Sequence, residues 1–208
     1  MNKLVIIGAG PHSKVILDIF LKMKKYEVVG LTDPTVEGYV LGYPILGTDE
    51  ILPDLKKQGI ECAFVALGNN KIRKNAFYTA ESLGFKMVNA ISPKATVSEF
   101  AKLSEGIAVM PGAIINACAN IGKGVVINTN VSVDHDCQIG AFSHIAPGCA
   151  ISGSTYIGEE TFLGTGSRVI DKIHIGNKVI VGAGSVVIRN LESNCKVVGV
   201  PAKIIKKF

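Results

Sequence analysis

The stretch VSVDHDCQIGAFSHIAPGCAISGSTYIG, residues 131–158, decides the fold. Within it Val133, Ile139, Ile145, Ile151 and Ile157 recur at every sixth position. Counted outward, the register holds back through Ile127, Ile121, Ile115, Val109 and Leu103 to Val97, and forward through Leu163, Val169, Ile175 and Val181 to Val187, so that sixteen positions of sixteen are aliphatic. A period of six fits neither a helix at 3.6 nor a strand at 2, and therefore describes a larger unit. Hexapeptide repeats build a parallel β-helix in which each repeat is one flat side of a triangular coil and its aliphatic residue points inward. Three sides make a coil of about 18 residues, with residues i and i+18 stacked about 4.8 Å apart, and sixteen repeats predict roughly five coils.

Two further regularities support this register. The fourth residue after each aliphatic is also expected inward and is small, as Cys137, Ser143, Cys149, Thr155, Thr161, Ser167 and Ser185 show. Gly122, Gly140, Gly158, Gly164, Gly176 and Gly182 directly follow the aliphatic, where close backbone packing has no room for a side chain. Because no step of the count is broken, no long loop is expected to leave the β-helix between Val97 and Val187. Past Val187 the period fails.

Residues 1–90 read differently, as alternating strands and helices. Strands are expected at Lys3–Ile7, Glu27–Leu31 and Glu61–Leu67, with a fourth near Lys86–Val88. Helices are expected at Ser13–Lys24, Thr48–Gln58 and Lys71–Leu83. The fold class is thus an α/β half-Rossmann domain over 1–90 followed by a parallel β-helix over 91–208 that ends in a C-terminal tail.

Composition narrows the function classes. The 208 residues are 48% hydrophobic and 19% charged, an ordinary globular balance, and the 22 Lys and Arg behind a net charge of +5 are scattered. A nucleic-acid face is therefore not expected, and only a mild attraction for phosphorylated small molecules is. The five cysteines form no C-x-x-C pair, which argues against a disulfide framework or a metal site and suggests a reducing cytoplasm. No stretch approaches the roughly 20 apolar residues of a membrane span, so no membrane insertion is expected.

The turn Gly8-Ala9-Gly10-Pro11-His12-Ser13-Lys14 follows a strand and opens a helix, where free backbone N–H groups and the helix dipole favour a phosphate. Asp33 ends the second strand, as a ribose-binding acid does in a dinucleotide fold. Two features count against a dehydrogenase: Ser13 replaces the third glycine of G-x-G-x-x-G, and about 90 residues supply only one mononucleotide half. A nucleotide diphosphate fits better. The segment Gly68-Asn69-Asn70-Lys71-Ile72-Arg73 follows the third strand at the same sheet edge, and its asparagines also suit a helix cap.

On the β-helix, His135 lies in Val133-Asp134-His135-Asp136-Cys137, two residues past an inward aliphatic and so at a coil corner. The repeat resembles that of the hexapeptide-repeat acyltransferases, and the acyl transfer from a thioester that this resemblance implies needs a base for the attacking amine or hydroxyl and a donor for the oxyanion. His135 is the candidate base, and Asp136 or Asp134 the group that holds its ring. Gly153, 18 residues later and one rung above, is the candidate oxyanion donor. Cys137 and Cys149 occupy buried inward positions where a thiol is protonated, so direct transfer is expected over a covalent intermediate. His174 is read as structural.

The hexapeptide register, the run from His135 to Gly148 and the tail Gly199-Val200-Pro201-Ala202-Lys203 resemble the hexapeptide-repeat acyltransferases, whose β-helix is left-handed. Together with Gly8-Ala9, His12, Lys14 and Val15, the strand-end Asp33 and Gly68-Asn69-Asn70 with Arg73, the chain resembles one branch of that family. This branch comprises the bacterial sugar O- and N-acetyltransferases that include sialic acid O-acetyltransferases and the UDP-4-amino-sugar N-acetyltransferase of bacillosamine synthesis. Pro11 departs from the glycine often found in that turn. The resemblance implies acetyl-CoA as cosubstrate, and a UDP-sugar or related nucleotide sugar held at Gly8, Gly10, His12, Asp33, Gly68 and Asn69. It also implies an acetyl-CoA contact from His144, with Gly153 and Lys203 facing the same cosubstrate, and a homotrimer in which His144 approaches a neighbouring subunit's site. N-acetylation of a nucleotide-linked amino sugar leads, O-acetylation of sialic acid or a capsular sugar is the alternative, and a non-catalytic β-helix scaffold or nucleotide-binding module is the third reading.

Overall fold

The computed structural model describes residues 1–208, which divide into two compact units, Met1–Pro93 and Lys94–Phe208. In the first, strands β1 (Asn2–Ile7), β2 (Tyr26–Thr32), β3 (Cys62–Val65) and β4 (Lys86–Met87) form a parallel sheet in the order β2-β1-β3-β4. The apolar runs Leu4–Ile7 and Cys62–Val65 are buried, as strands covered on both faces must be. Helix α1 (Pro11–Met23) turns Ile16, Leu17, Ile19 and Phe20 inward, and α3 (Asn70–Ser82) turns Phe77 and Ala80 inward. Pro11 occupies the first helical turn, where its missing N–H costs nothing.

The helix expected over Thr48–Gln58 is broken in two: a 3₁₀ turn at Asp49–Ile51 followed by α2 at Leu52–Lys57. Pro53 sits in the first turn of α2, which restarts the helix there. A short hairpin, Tyr39–Val40 with Tyr43–Pro44, lies in the β2–α2 connection and gave no periodic signal at two residues per strand. The order of the sheet reverses at β1, so the connections after Ile7, Thr32 and Val65 all open on its carboxyl edge, where such sheets take ligands.

The second unit is a left-handed parallel β-helix of about six turns. Its two-residue strands stack with an offset of 18, as in Ser132 on Ala150, Gln138 on Tyr156 and His144 on Phe162. Ile121, Ile127, Val133, Ile145, Ile157, Leu163, Ile175 and Val181 are all fully buried. Each contributes about 1.5–3 kcal/mol of apolar burial.

The small inward residues have a second task. The Ser143 hydroxyl donates to Gly158 O at 2.7 Å, Thr161 to Gly176 O at 2.9 Å, and the Cys149 thiol to Gly164 O at 3.1 Å. They thereby satisfy corner carbonyls of the next coil that have no water to turn to. The glycines behave as expected: a Cβ on Gly140 would lie 2.6 Å from the Glu159 nitrogen, and one on Gly164 2.6 Å from that of Ala183. Three residues past the inward aliphatic the backbone is left-handed at corner after corner, as at Cys118, Asn130, Asp136, Phe142, Ser154, Glu160, Lys172 and Lys178.

The end of the β-helix departs from the expectation. Past Val187 the coil continues, with Leu191 bridged to Ile175 and Val197 paired with Val181, an offset of 16. Two residues are dropped at one corner, which shifts the six-residue phase and hides the last turn from a fixed-period count. The chain then folds back as an antiparallel strand, Lys203–Lys207 against Cys195–Val198.

Candidate active site

His135 stands on a solvent-facing corner between the sheet faces that carry Ser132–Val133 and Gln138–Ile139. Its side chain is 60% exposed. Nδ1 lies 2.8 Å from Asp136 Oδ2. A carboxylate only accepts, so Nδ1 carries the proton and Nε2 is left with its lone pair outward. Asp136 adopts the left-handed conformation, φ 59°, which aspartate tolerates better than most residues and which turns its side chain back onto the ring. Asp134 takes a different part: its Oδ1 accepts the His135 backbone N–H at 2.8 Å and the Asn116 amide at 2.9 Å. One carboxylate fixes the ring and the other fixes the backbone. The bond to Asp136 and the field of Asp134 raise the His135 pKa above the ordinary value, while Asp134 is itself held below the usual aspartate range by the His135 N–H and Asn116.

Gly153 lies directly against this ring. A Cβ there would sit 2.7 Å from His135 Cε1 and Nε2, so only glycine lets the imidazole rest on the next coil. Ser154 N–H donates to His135 O at 2.9 Å, and Gly153 O accepts from Lys172 N–H at 3.0 Å. The Gly153 N–H makes no hydrogen bond within the chain. His135 and Gly153 are therefore adjacent, as the 18-residue spacing implies.

His144 is on another face, in the ladder Val126, His144, Phe162. It is 8% exposed and packs edge-on to Phe162 at 5.3 Å. Asn128 Oδ1 already accepts the Thr129 N–H, so its amide nitrogen faces His144 Nε2 at 3.1 Å, which makes Nε2 the acceptor. Asn128 thus holds the His144 ring, a contact that no motif had singled out; only the 16-residue step across the coil brings it to the ring. Lys203 is exposed, opposite Val198 in the terminal antiparallel pair. Ring-stacked Tyr156 and His174, 4.4 Å apart, lie on the face that carries Gln138–Ile139. Burial raises the Cys137 and Cys149 thiols, which point into the coil. No group of His, Cys, Asp and Glu could hold a metal ion.

In the N-terminal unit, Asp33 ties the sheet edge together. Its Oδ2 accepts the Ala9 N–H at 2.8 Å, and its Oδ1 accepts the N–H groups of Thr35 and Val36 and the Thr35 hydroxyl. Burial alone would raise its pKa, but these bonds hold it below the ordinary value. Asp33, Thr35, Glu37 and Thr48 line a cleft of about 180 Å³. Gly10 caps α1 and has open space where a Cβ would be, as does Gly68. Gly8 serves the fold: its φ is +98° and a Cβ would meet Leu67 Cδ2 at 2.6 Å. Asn69 caps α3, accepting the Ile72 N–H at 3.1 Å. His12, half-buried at the start of α1, has its pKa lowered to about 4 by burial and by the Arg73 charge.

A left-handed parallel β-helix after an N-terminal unit of parallel sheet and helices is the architecture of the hexapeptide acyltransferases. Residues 3–80 match the PglD N-terminal domain family and residues 154–189 the bacterial transferase hexapeptide family of six repeats. The chain is 43% identical to perosamine N-acetyltransferase from Caulobacter crescentus, crystallised as a histidine-to-asparagine variant with CoA and GDP-perosamine. That match covers 100% of this chain and 98% of the other, with a TM-score of 0.97. It is 39% identical to the acetyltransferase domain of PglB from Neisseria gonorrhoeae FA1090, in complex with acetyl coenzyme A, over 99% of this chain and 100% of that one, with a TM-score of 0.95. The chain belongs to the hexapeptide-repeat acetyltransferases that carry a PglD-type N-terminal domain. No helix is long and apolar enough to cross a membrane.

Proposed function

We propose that the chain transfers the acetyl group of acetyl-CoA to the amine of a nucleotide-linked amino sugar, with His135 as general base. The observation that carries the reading is His135 itself, its Nδ1 bound to Asp136 and its ring laid on Gly153. The amine nitrogen attacks the thioester carbonyl while His135 Nε2 takes its proton. The Gly153 N–H donates to the oxyanion. Collapse expels the CoA thiolate, which recovers a proton from the imidazolium, and an acetamide remains. The inward, protonated thiols support direct transfer.

The N-terminal unit takes the nucleotide through the turn Gly8–Gly10, His12, Asp33 and the Gly68–Asn69 segment. A UDP sugar is the reading from the resemblance; the GDP-perosamine of the Caulobacter relative makes a purine nucleotide the second choice. His144 and Lys203 contact acetyl-CoA, and the active assembly is a homotrimer. The test is thiol release from acetyl-CoA with UDP- and GDP-linked 4-amino-4,6-dideoxy sugars and free sialic acid. Turnover of an amino-sugar nucleotide, lost about 10²–10⁴-fold in His135→Ala with both substrates still bound, supports the reading. Turnover of sialic acid alone moves the activity to O-acetylation, and a His135→Ala enzyme within a few-fold of wild type removes the base.

A further inference from the structure

Arg73 is 1% exposed, the largest fully buried side chain in the protein, and lies on α3 below the carboxyl edge of the sheet. Its Nη1 donates to Leu67 O and to Gly68 O, both at 3.1 Å, and its Nη2 to Asn70 Oδ1 at 2.9 Å. Two consecutive carbonyls and a side-chain amide of one connection are thus gathered by one planar cation. A buried charge costs several kcal/mol to desolvate, and the helix N–H groups are already served by Asn69, so what the guanidinium serves is the carbonyls of the connection and not the helix end. The connection it gathers abuts the glycine turn: a Cβ on Gly8 would strike the Leu67 side chain and approach Ala66 O at 3.3 Å. The turn is tied in its turn to Asp33 by the Ala9 N–H. Arg73 therefore stands at the base of a chain of contacts joining all three connections proposed to hold the nucleotide.

We infer that Arg73 is a positioning residue for the nucleotide sugar: from beneath the 67–70 segment it sets the backbone of the ligand-facing edge and places a positive charge behind the glycine turn. The inference rests on the reading that the N-terminal unit takes the nucleotide. An arginine suits the task where a lysine does not, because its fork reaches two carbonyls at fixed geometry and its charge survives burial, with a pKa of about 10. Its field also acts on His12. With burial, it keeps that imidazole neutral near neutral pH. Arg73 is the charged group acting on His12, and the Asp33 carboxylate spends both oxygens on the Ala9 and 35–36 groups.

The experiment compares Arg73→Lys and Arg73→Met with His12→Asn, using whichever UDP- or GDP-linked 4-amino-4,6-dideoxy sugar the wild type turns over faster. Arg73→Lys keeps the charge and loses the fork. It should raise the nucleotide-sugar KM by about tenfold or more, with kcat and the acetyl-CoA KM within about twofold. In Arg73→Met the His12 ring resonance, identified by its loss in His12→Asn, should titrate at a higher pH than in the wild type. Should Arg73→Met fail to fold, Arg73→Lys alone decides through the KM split. An unchanged nucleotide-sugar KM in folded Arg73→Lys, while His12→Asn raises it, overturns the inference and leaves the N-terminal nucleotide site standing. If neither His12→Asn nor Asp33→Ala raises that KM, the nucleotide reading falls and the inference falls with it.

Discussion

The imidazole of His135 rests on the bare Cα of Gly153 in the next coil, so close that a Cβ would lie 2.7 Å from Nε2. Gly153→Ala keeps the backbone N–H and needs no unusual φ, so its only effect is to push the ring away. We expect kcat to fall by about tenfold or more, since misplacement of about 1 Å can cost as much as 10²-fold. A double-mutant cycle checks the cause. In a His135→Ala background the same substitution should cost nothing further, and an equal additional loss would place the effect on the oxyanion donor instead.

Asp136 raises the His135 pKa by accepting the Nδ1 proton, a contact that favours imidazolium. The base form is the unprotonated ring, so activity should fall as pH drops through that raised value. Asp136→Asn removes the carboxylate, and the acid limb of kcat should then move to lower pH, with the plateau rate reduced about tenfold or more. An acid limb that stays in place would assign it to the substrate amine.

Asp33 joins the glycine turn to the 35–36 loop through four hydrogen bonds. Asp33→Ala should raise the nucleotide-sugar KM by about tenfold or more, the cost of two loops losing a shared acceptor. Steady-state kinetics with each substrate varied in turn should find the acetyl-CoA KM unchanged. A rise in that KM instead would reverse the division of labour between the units.

Gly158 has no room for a side chain: a Cβ would lie 2.5 Å from the Gly176 carbonyl carbon and 2.6 Å from the Asn177 nitrogen. Backbone cannot yield as a side-chain tip does, so Gly158→Ala should cost about 1–3 kcal/mol. Thermal unfolding should show Tm lowered by about 2–4 °C for each kcal/mol. An unchanged Tm would mean the coils can spread at that corner.

The sequence alone was enough for the β-helix, because a repeat of six is imposed by geometry at every coil, and the aliphatic seam it sets is buried from Val109 to Val187. It was also enough for the pairing of His135 with Gly153, since residues 18 apart must stack. Tertiary structure decided what a fixed period cannot carry. The last turn through Leu191 and Val197 was hidden by a two-residue slip. That Asp136 takes the ring and Asp134 the backbone was decided by side-chain directions on a left-handed corner that itself recurs through the coil. Asn128 meets His144, and Arg73 gathers the Leu67 and Gly68 carbonyls, through side-chain directions set by packing. Periodicity reports which residues share a face; hydrogen bonds between single side chains follow from three-dimensional placement, and these are what make a face into a site.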